Sequence, residues 1–130
     1  MSENRRDRGI AVFESYYGPA AADGLRAYLD DPDAFGRTQA EMSMEMAFGT
    51  VWANDRLDPK LRSCAVLGMM IGLRQFEELK YHTRMGLKNG LTQAELEEIM
   101  LTSVPYCGLP ASNVAKAAML EVLRERDEPA

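Results

Sequence analysis

The only histidine of the chain, His82, follows Glu78 by four residues in a stretch whose pattern predicts a helix. Residues at i and i+4 share one helix face, so the Glu78 carboxylate can accept a hydrogen bond from one ring nitrogen of His82. The other nitrogen is then available for proton transfer. This spacing predicts an acid/base pair, although it also fits a solvated helix face without chemistry.

Composition and charge narrow the range of partners. The chain has 130 residues and a formal net charge of −5. Nonspecific nucleic-acid binding needs a basic surface that neutralises phosphates, so nucleic acid is not an expected partner. The same negative charge repels a small anionic substrate at long range, and such a ligand therefore needs local cations. Arg62, Arg74 and Arg84 are the candidates, and each also fits a solvated surface position.

Neither a membrane segment nor a metal site is recognisable in the sequence. No apolar run approaches the roughly 18 residues of a membrane span, and residues 1–8 lack the apolar stretch of a secretory signal. We therefore expect a cytoplasmic protein without a membrane partner. Cys64 and Cys107 form neither a Cys-x-x-Cys pair nor a metal-ligand pattern. They are expected to be reduced thiols, and no cofactor or metal is predicted.

Helix signals recur along the whole chain, while strand-like alternation between turn residues is absent. The prediction is a single all-α domain over residues 1–130, with about six to seven helices. Helices are predicted over residues 5–17, 23–29, 33–52, 59–72, 75–89, 92–105 and 111–126, with a frayed charged end over residues 121–128.

Capping residues locate several helix ends. Asp58 is an N-cap candidate and is followed by Pro59 at the first helical position. Gly90 lies where a left-handed C-cap is expected, and Thr92 with Glu95 forms a capping box for the next helix. Because this connection is short, the helices on either side of Gly90 are predicted to be antiparallel neighbours.

The apolar stripes of the later helices predict which faces are buried. The expected inner positions are Leu96, Ile99, Met100 and Ser103 in the sixth helix and Val114, Ala115, Ala118 and Val122 in the last. The fourth helix runs through Leu61, Ala65, Gly68, Met69 and Gly72. Gly68 and Gly72 are four residues apart and would let another backbone approach closely. The stripes exceed what a lone bundle of this size hides, which favours a homo-oligomer.

Five segments resemble, in order and spacing, the carboxymuconolactone decarboxylase family, which shares its fold with the alkylhydroperoxidase D group. They are FGTVW at 48–52, LDPKLRS at 57–63, EELKYH at 77–82, KNGLT at 88–92 and YCGLPASN at 106–113. The resemblance covers about residues 45–125. It implies an alkylhydroperoxidase D-like bundle with a helix-hairpin core and a trimeric or hexameric assembly. It also implies cofactor-independent decarboxylation of a small unsaturated lactone, such as 4-carboxymuconolactone, in aromatic catabolism.

The peroxidase branch of this superfamily is distinguished by a Cys-x-x-Cys-x-x-x-His motif. Its histidine corresponds to His82, but its two cysteine positions hold Gln75 and Glu78, and its upstream glutamate position holds Ser63. A disulfide-cycling peroxidase needs a low-pKa thiolate and a resolving thiol, so thiol peroxidase activity is not expected. The Glu-x-x-x-His spacing with Arg62-Ser63 resembles the decarboxylase branch.

The resemblance suggests a role for each candidate site residue. His82 is expected to be the proton donor or the oxyanion partner, with Glu78 fixing its tautomer and favouring its protonated form. Arg62 is the candidate that holds a substrate carboxylate. An apolar chamber could be lined by Trp52, Phe48, Tyr106 and the methionines at 42, 46, 69 and 85, all of which also fit ordinary core positions. Cys107, in the family-like Tyr-Cys-Gly connection, is a further candidate for substrate contact.

One departure from the family pattern concerns the segment before Phe48. Typical decarboxylases resemble Arg-His there, whereas this chain has Glu45-Met46. A less charged substrate would be consistent with this change. The alternative is a noncatalytic, oligomeric small-molecule-binding relative of the family.

Overall fold

The structure is a computed structural model that describes residues 4–127, and every regular element in that range is helical. The elements are α1 (Arg5–Tyr17), α2 (Pro19–Asp30), α3 (Arg37–Ser43), a π-helical segment (Met44–Trp52), α4 (Pro59–Leu73), α5 (Phe76–Lys88), α6 (Gln93–Cys107) and α7 (Leu109–Asp127). The all-α prediction is confirmed. The chain forms two compact units, Met1–Leu57 and Asp58–Ala130.

The N-terminal unit is organised by a close crossing of α1 with the π segment. A Cβ atom added to Gly9 would overlap the backbone oxygen of Met44, and one added to Gly49 would overlap the backbone oxygen of Arg5. The two backbones can touch because neither glycine has a side chain. A small core lies beside the crossing and consists of Ile10, Ala22, Leu29 and Met44, with Phe13, Leu25, Ala40 and Phe48 packed against it.

The π segment departs from the predicted regular helix over residues 33–52. The backbone N–H of Ala53 donates to the carbonyl oxygen of Phe48 at 2.9 Å, which is an i→i−5 bond. The helix before it begins only at Arg37, because Gly36 has a positive φ of 81°. Phe35 lies outside the helix and is 99% exposed. Asp33, at which the predicted helix begins and which is its candidate N-cap, is in the preceding turn, so it does not cap this helix.

The other N-terminal helices agree more closely with the sequence pattern. The predicted bounds of α1 are confirmed, and Asn4 caps it by accepting a hydrogen bond from the backbone N–H of Arg6 at 2.8 Å. The helix predicted over residues 23–29 is longer and runs from Pro19 to Asp30. Pro19 begins it because proline is favoured at the first position, where its missing N–H costs nothing.

The C-terminal unit contains the larger core, which α4, α5, α6 and α7 enclose. Its buried members are Leu67, Ile71, Leu79, Leu91, Leu96, Ala111, Ala115, Ala118 and Met119. The helices α5 and α6 each pack on α4 and α7 rather than side by side. The prediction that they are antiparallel neighbours is therefore wrong, because a short connection limits the distance between helix ends but leaves the helix axes free to diverge.

The capping predictions in this unit are confirmed. The Asp58 side chain accepts from the backbone N–H of Lys60 at 2.8 Å, with Pro59 at the first helical position. Gly90 has the expected positive φ, at 100°. The Thr92 hydroxyl accepts from the backbone N–H of Glu95 at 3.1 Å, and the Glu95 carboxylate accepts from the backbone N–H of Thr92 at 3.0 Å.

The buried face of α4 is not the one that carries Leu61 and Met69. Ser63, Leu67 and Ile71 are buried, whereas Leu61 and Met69 are 56% and 61% exposed. This apolar helix offers two faces of similar hydrophobicity, so its own sequence does not select the buried one. Among residues 4–127, no backbone atom lies within 4 Å of a Cβ added at Gly68 or Gly72, so the predicted close approach is also absent there.

The last two helices are longer than the sequence pattern suggests. The helix α6 does not break near Pro105 but continues to Cys107, and Gly108, with a φ of 89°, alone forms the connection to α7. Buried positions on α7 include the predicted Ala115, Ala118 and Val122. The helix remains regular to Asp127, so the predicted fraying is not seen up to that residue. Glu128 lies outside the described residues.

Candidate functional site

The helix that carries His82 is attached to α7 by two pairs of opposite charges. Lys80 Nζ lies 3.2 Å from a carboxylate oxygen of Glu121. The Arg84 guanidinium forms two parallel hydrogen bonds with the Glu125 carboxylate, at 3.0 and 2.7 Å. These bonds lower the pKa of Glu125 below its usual value. Neither pair was predicted from the sequence. The available signal was the matching spacing, because the two cations of α5 and the two carboxylates of α7 are each four residues apart.

On its other side α5 fits closely against α4. A Cβ added to Gly86 would lie 3.6 Å from a methyl carbon of Leu67 and 3.7 Å from the Cβ of Ser63. The Asn89 side-chain amide donates to the Ser63 hydroxyl at 3.0 Å. Within α5, the buried Thr83 hydroxyl donates to the carbonyl oxygen of Leu79 at 2.7 Å. These contacts hold the backbone around His82 in one orientation.

His82 is largely buried, and its carboxylate neighbour is in solvent. The His82 side chain is 16% exposed and that of Glu78 is 55% exposed. The Nε2 atom of His82 lies 3.8 Å from a carboxylate oxygen of Glu78, and its Nδ1 atom is buried. The predicted pairing across one helical turn is present, but at a distance of charge attraction rather than of a hydrogen bond.

Burial and charge act in opposite directions on His82. Desolvation by burial lowers its pKa below the ordinary value of 6.5, while the negative charge of Glu78 acts to raise it, and burial has the larger effect. The charge of Glu78 therefore acts on the pKa of His82 in the predicted direction, but the burial of the imidazole outweighs it. At neutral pH the imidazole is uncharged, and a neutral imidazole both donates and accepts hydrogen bonds.

The other predicted site residues of this unit lie at different places along it. Arg62 is half-buried on the first turns of α4, next to Ser63. Ser63 contacts Asn89, which is seven residues from His82, or about 10 Å along the axis of α5. Tyr106 is 85% exposed near the end of α6. Cys107 is half-buried and packs against the core.

Three of the candidates for substrate contact, Phe48, Trp52 and Met46, belong to the N-terminal unit. Phe48 packs against the core with its ring edge-on to Phe13, at a centroid distance of 5.7 Å. The Trp52 ring meets Tyr16 in a similar edge-on arrangement at 6.0 Å. Met46 is 61% exposed. The predicted roles of these residues in substrate contact stay predictions.

Comparison with known proteins identifies the family of this chain. A family model described as the carboxymuconolactone decarboxylase family matches residues 39–121. The chain belongs to this family. The resemblance inferred from the five sequence segments is thereby confirmed.

Two relatives of the chain are curated proteins. One is the nitrosuccinic acid decarboxylase npaB of Metarhizium robertsii, 37% identical over 105 residues, which cover 81% of this chain and 71% of the relative. The other is the 4-carboxymuconolactone decarboxylase of Acinetobacter baylyi, 30% identical over 123 residues, which cover 95% of this chain and 90% of the relative. Both are named decarboxylases, which supports the predicted enzyme class, a carboxy-lyase of this family.

The matched region of the carboxymuconolactone decarboxylase family includes both the His82 helix and the π segment. Insertions of π-helical geometry into α-helices are frequent at functional sites. The segment carries Phe48 and Trp52, and Glu45 and Met46 stand where the family resemblance leads one to expect Arg-His. Both of these replacements are exposed.

The helices and the possible metal ligands were also compared with the requirements of a membrane span and of a metal site. No helix within residues 4–127 is long and apolar enough to cross a membrane. In the same part of the chain, no three His, Cys, Asp or Glu side chains are grouped as ligands of a metal ion.

Proposed function

We propose that this protein is a cofactor-independent decarboxylase of a small carboxylic acid whose departing carboxylate stands on a carbon activated by an electron-withdrawing group. The observation that carries the proposal is the buried, neutral imidazole of His82 on a rigidly held helix. A buried imidazole can face a reacting group in a low dielectric, where hydrogen bonds to developing charge are strongest.

The names of the two relatives support this substrate class. One acts on nitrosuccinic acid and the other on 4-carboxymuconolactone. In both compounds the electron pair left by departing carbon dioxide can move onto oxygen, either of the nitro group or of the conjugated lactone carbonyl. Both compounds also carry a second oxygenated group by which an enzyme can hold them. A lactone substrate would place this protein in aromatic catabolism, whereas a nitro-substituted acid would not.

The reaction requires a group that stabilises this oxygen and then a proton for the carbon. As the bond between carbon and carboxylate breaks, neutral His82 donates a hydrogen bond to the oxygen on which negative charge develops. That charge favours the imidazolium, so His82 takes up a proton from the solvent, delivers it to the carbon and returns to its neutral form. One solvent proton is thereby consumed for each carboxylate lost as carbon dioxide. The new C–H bond replaces the C–C bond, and carbon dioxide leaves.

Glu78 and Arg62 are assigned supporting roles. Glu78 acts to raise the pKa of His82, which keeps protonation of the imidazole accessible despite its burial. Arg62 is proposed to hold a carboxylate of the substrate through its planar guanidinium, which matches a carboxylate in shape and charge. Trp52, Phe48, Met46, Tyr106 and Cys107 remain candidates for substrate contact.

The proposal is tested by incubating the protein with 4-carboxymuconolactone and, separately, nitrosuccinate, and measuring released carbon dioxide and ultraviolet absorbance. We expect turnover of at least one of them. Substitution His82→Gln should reduce kcat by about 10²- to 10⁴-fold with unchanged helical circular dichroism. Undiminished turnover in that variant would remove His82 from the mechanism. Saturable binding of both compounds without turnover would favour the noncatalytic small-molecule-binding relative.

The role of Glu78 is separable by its effect on the pH profile. Because the proposed reaction begins from the neutral imidazole and protonates it only after charge develops on the substrate oxygen, kcat should fall as the pH is lowered through the depressed pKa of His82. Glu78→Gln removes the charge that raises this pKa, so the acidic limb should move to lower pH. Glu77→Gln makes the same change of charge on the same helix and serves as the control. An acidic limb that moves equally in both variants would contradict the assignment.

We further propose that the protein is a homo-oligomer, with a trimer or a hexamer as the expected form. The exposed apolar residues of α4 support this, since Leu61, Met69 and Leu73 are each more than half exposed. Burying such side chains against another copy is favourable. Light scattering after size-exclusion chromatography measures the mass directly, and Leu61→Lys with Met69→Lys should lower it. A monomer at micromolar concentration would contradict this proposal.

A further inference from the structure

A cavity of about 310 Å³ in the N-terminal unit is lined by an unusual concentration of positive charge for a chain of net charge −5. Its lining residues are Arg5, Arg8, Gly49, Thr50, Ala53, Asn54, Asp55 and Arg56. The lining thus includes three arginines and one aspartate, of which Arg5, Arg56 and Asp55 are exposed, and this leaves an excess of two positive charges. No part of the proposed mechanism uses this cavity.

The crossing of α1 with the π segment creates this arrangement. Because Gly49 lies against the backbone oxygen of Arg5, the first turn of α1 is held beside the end of the π segment. Arg5 and Arg8 are three residues apart on α1 and therefore share a face. Arg56 follows the π segment, and its backbone N–H and Nε donate to the side-chain oxygen of Asn54 at 2.8 and 3.0 Å, which orients the guanidinium.

The arginines of α1 differ in how their charges are satisfied. Arg6, between them, pairs with Asp30 at 3.2 Å and Glu41 at 3.5 Å. By contrast, within residues 4–127 no carboxylate forms an ion pair with Arg5 or Arg8. The Nε atoms of Arg6 and Arg8 are both buried and have no hydrogen-bond partner in that range, but the terminal nitrogens of Arg6 donate to carboxylates. A buried donor without an acceptor is destabilising, and an oxyanion bound at Arg8 would supply the missing acceptor.

We propose that this cavity binds a small dianion through Arg5, Arg8 and Arg56. Guanidinium groups bind carboxylate and phosphate oxygens through paired hydrogen bonds, and the excess positive charge matches two negative charges. The N-terminal end of α1 adds a favourable partial positive charge. Asp55 and the carbonyl groups that end the π segment oppose the anion, so binding depends on the excess positive charge of the three arginines. Organic dicarboxylates and inorganic phosphate share the required chemistry.

The proposal predicts saturable binding that depends on the cavity arginines rather than on overall charge. Succinate and inorganic phosphate are titrated separately into the full-length protein by isothermal titration calorimetry at pH 7.5 and constant ionic strength. Arg8→Gln should weaken binding by about tenfold or more, since a hydrogen bond to a charged group is lost. Arg8→Lys, which keeps the charge without the guanidinium, should recover binding only in part.

The matched control is Arg26→Gln, which removes a positive charge of the same unit that pairs with Glu14 and Asp23 outside the cavity. It should bind the anion like the unmodified protein. Arg56→Gln provides a second cavity variant if Arg8→Gln does not fold, as judged by circular dichroism.

Tighter binding of succinate identifies a carboxylate ligand, and tighter binding of phosphate a phosphoryl ligand. Absence of saturable binding, full binding by the cavity variants, or an equal loss in Arg26→Gln overturns the proposal. Because calorimetry requires no turnover, its outcome is independent of the decarboxylase test.

Discussion

The two units of this chain reach stability by different means. The C-terminal unit buries large side chains such as Leu67, Ile71 and Leu79 between four regular helices. The N-terminal unit has a smaller core and relies on two backbones that touch at Gly9 and Gly49. Side-chain packing tolerates small adjustments, whereas a backbone contact tolerates none. The proposed catalytic histidine lies in the more conventional unit, where ion pairs and a close-fitting helix orient it.

Truncating one core leucine in each unit tests the comparison with the largest expected effect. Leu79 and Leu29 are both fully buried. Leu79→Ala should lower the free energy of unfolding by about 4 kcal/mol, and Leu29→Ala by about 2–3 kcal/mol, because Leu29 belongs to the smaller cluster and loses fewer buried apolar contacts. Chemical denaturation measures the free energy of unfolding of both variants, and hydrogen exchange shows which unit has lost protection. Equal losses in the two variants would contradict the proposed difference between the cores.

A methyl group added at the backbone crossing should have the next largest effect. Gly49→Ala places a carbon where the backbone oxygen of Arg5 lies, so we expect a loss of about 3 kcal/mol in the free energy of unfolding. Gly68→Ala on α4 is the control, since among residues 4–127 nothing lies within 4 Å of its added carbon. The free energy of unfolding of that variant should rise by up to about 1 kcal/mol, because alanine has a higher helix propensity than glycine. If both substitutions proved neutral in thermal unfolding, the crossing would not be a close contact.

Loss of the capping box should have a moderate effect confined to the C-terminal unit. Thr92→Ala removes the hydroxyl that accepts from the backbone N–H of Glu95, which should cost about 1 kcal/mol. Thr92→Ser retains the acceptor and should behave like the unmodified protein in urea denaturation. A serine variant as unstable as the alanine variant would show that the threonine methyl, rather than the cap, is responsible.

The smallest expected effect is on the pH dependence of stability. His82 has a lowered pKa in the folded state, so between that pKa and about 6.5 the unfolded chain binds more protons than the folded chain. Its contribution to stability is therefore complete above about pH 6.5 and is lost as the pH falls through the folded pKa. Comparing the pH profiles of unmodified protein and His82→Gln isolates this contribution, because the glutamine does not titrate. Identical profiles would indicate that the imidazole is not desolvated.

Local signals in the sequence predicted much of the fold and only part of the candidate site. The Asp58 and Thr92 caps were predictable because a cap depends on neighbouring residues alone. The buried face of α4 was not, since both of its faces are apolar and only the packing of the other helices selects one. The pairing of Glu78 with His82 follows from helical periodicity. Its electrostatic outcome does not, because the desolvation that lowers the pKa of His82 depends on the tertiary structure.

The register of the π segment makes this stretch unusually sensitive to changes of length. A single-residue deletion between Met44 and Trp52 that a change of winding did not compensate would shift every side chain beyond it by one position around the helix axis. Trp52 would lose its edge-on contact with Tyr16 even though no residue of that pair had changed. In evolution, insertions and deletions here would consequently reorient aromatic rings more abruptly than any point substitution.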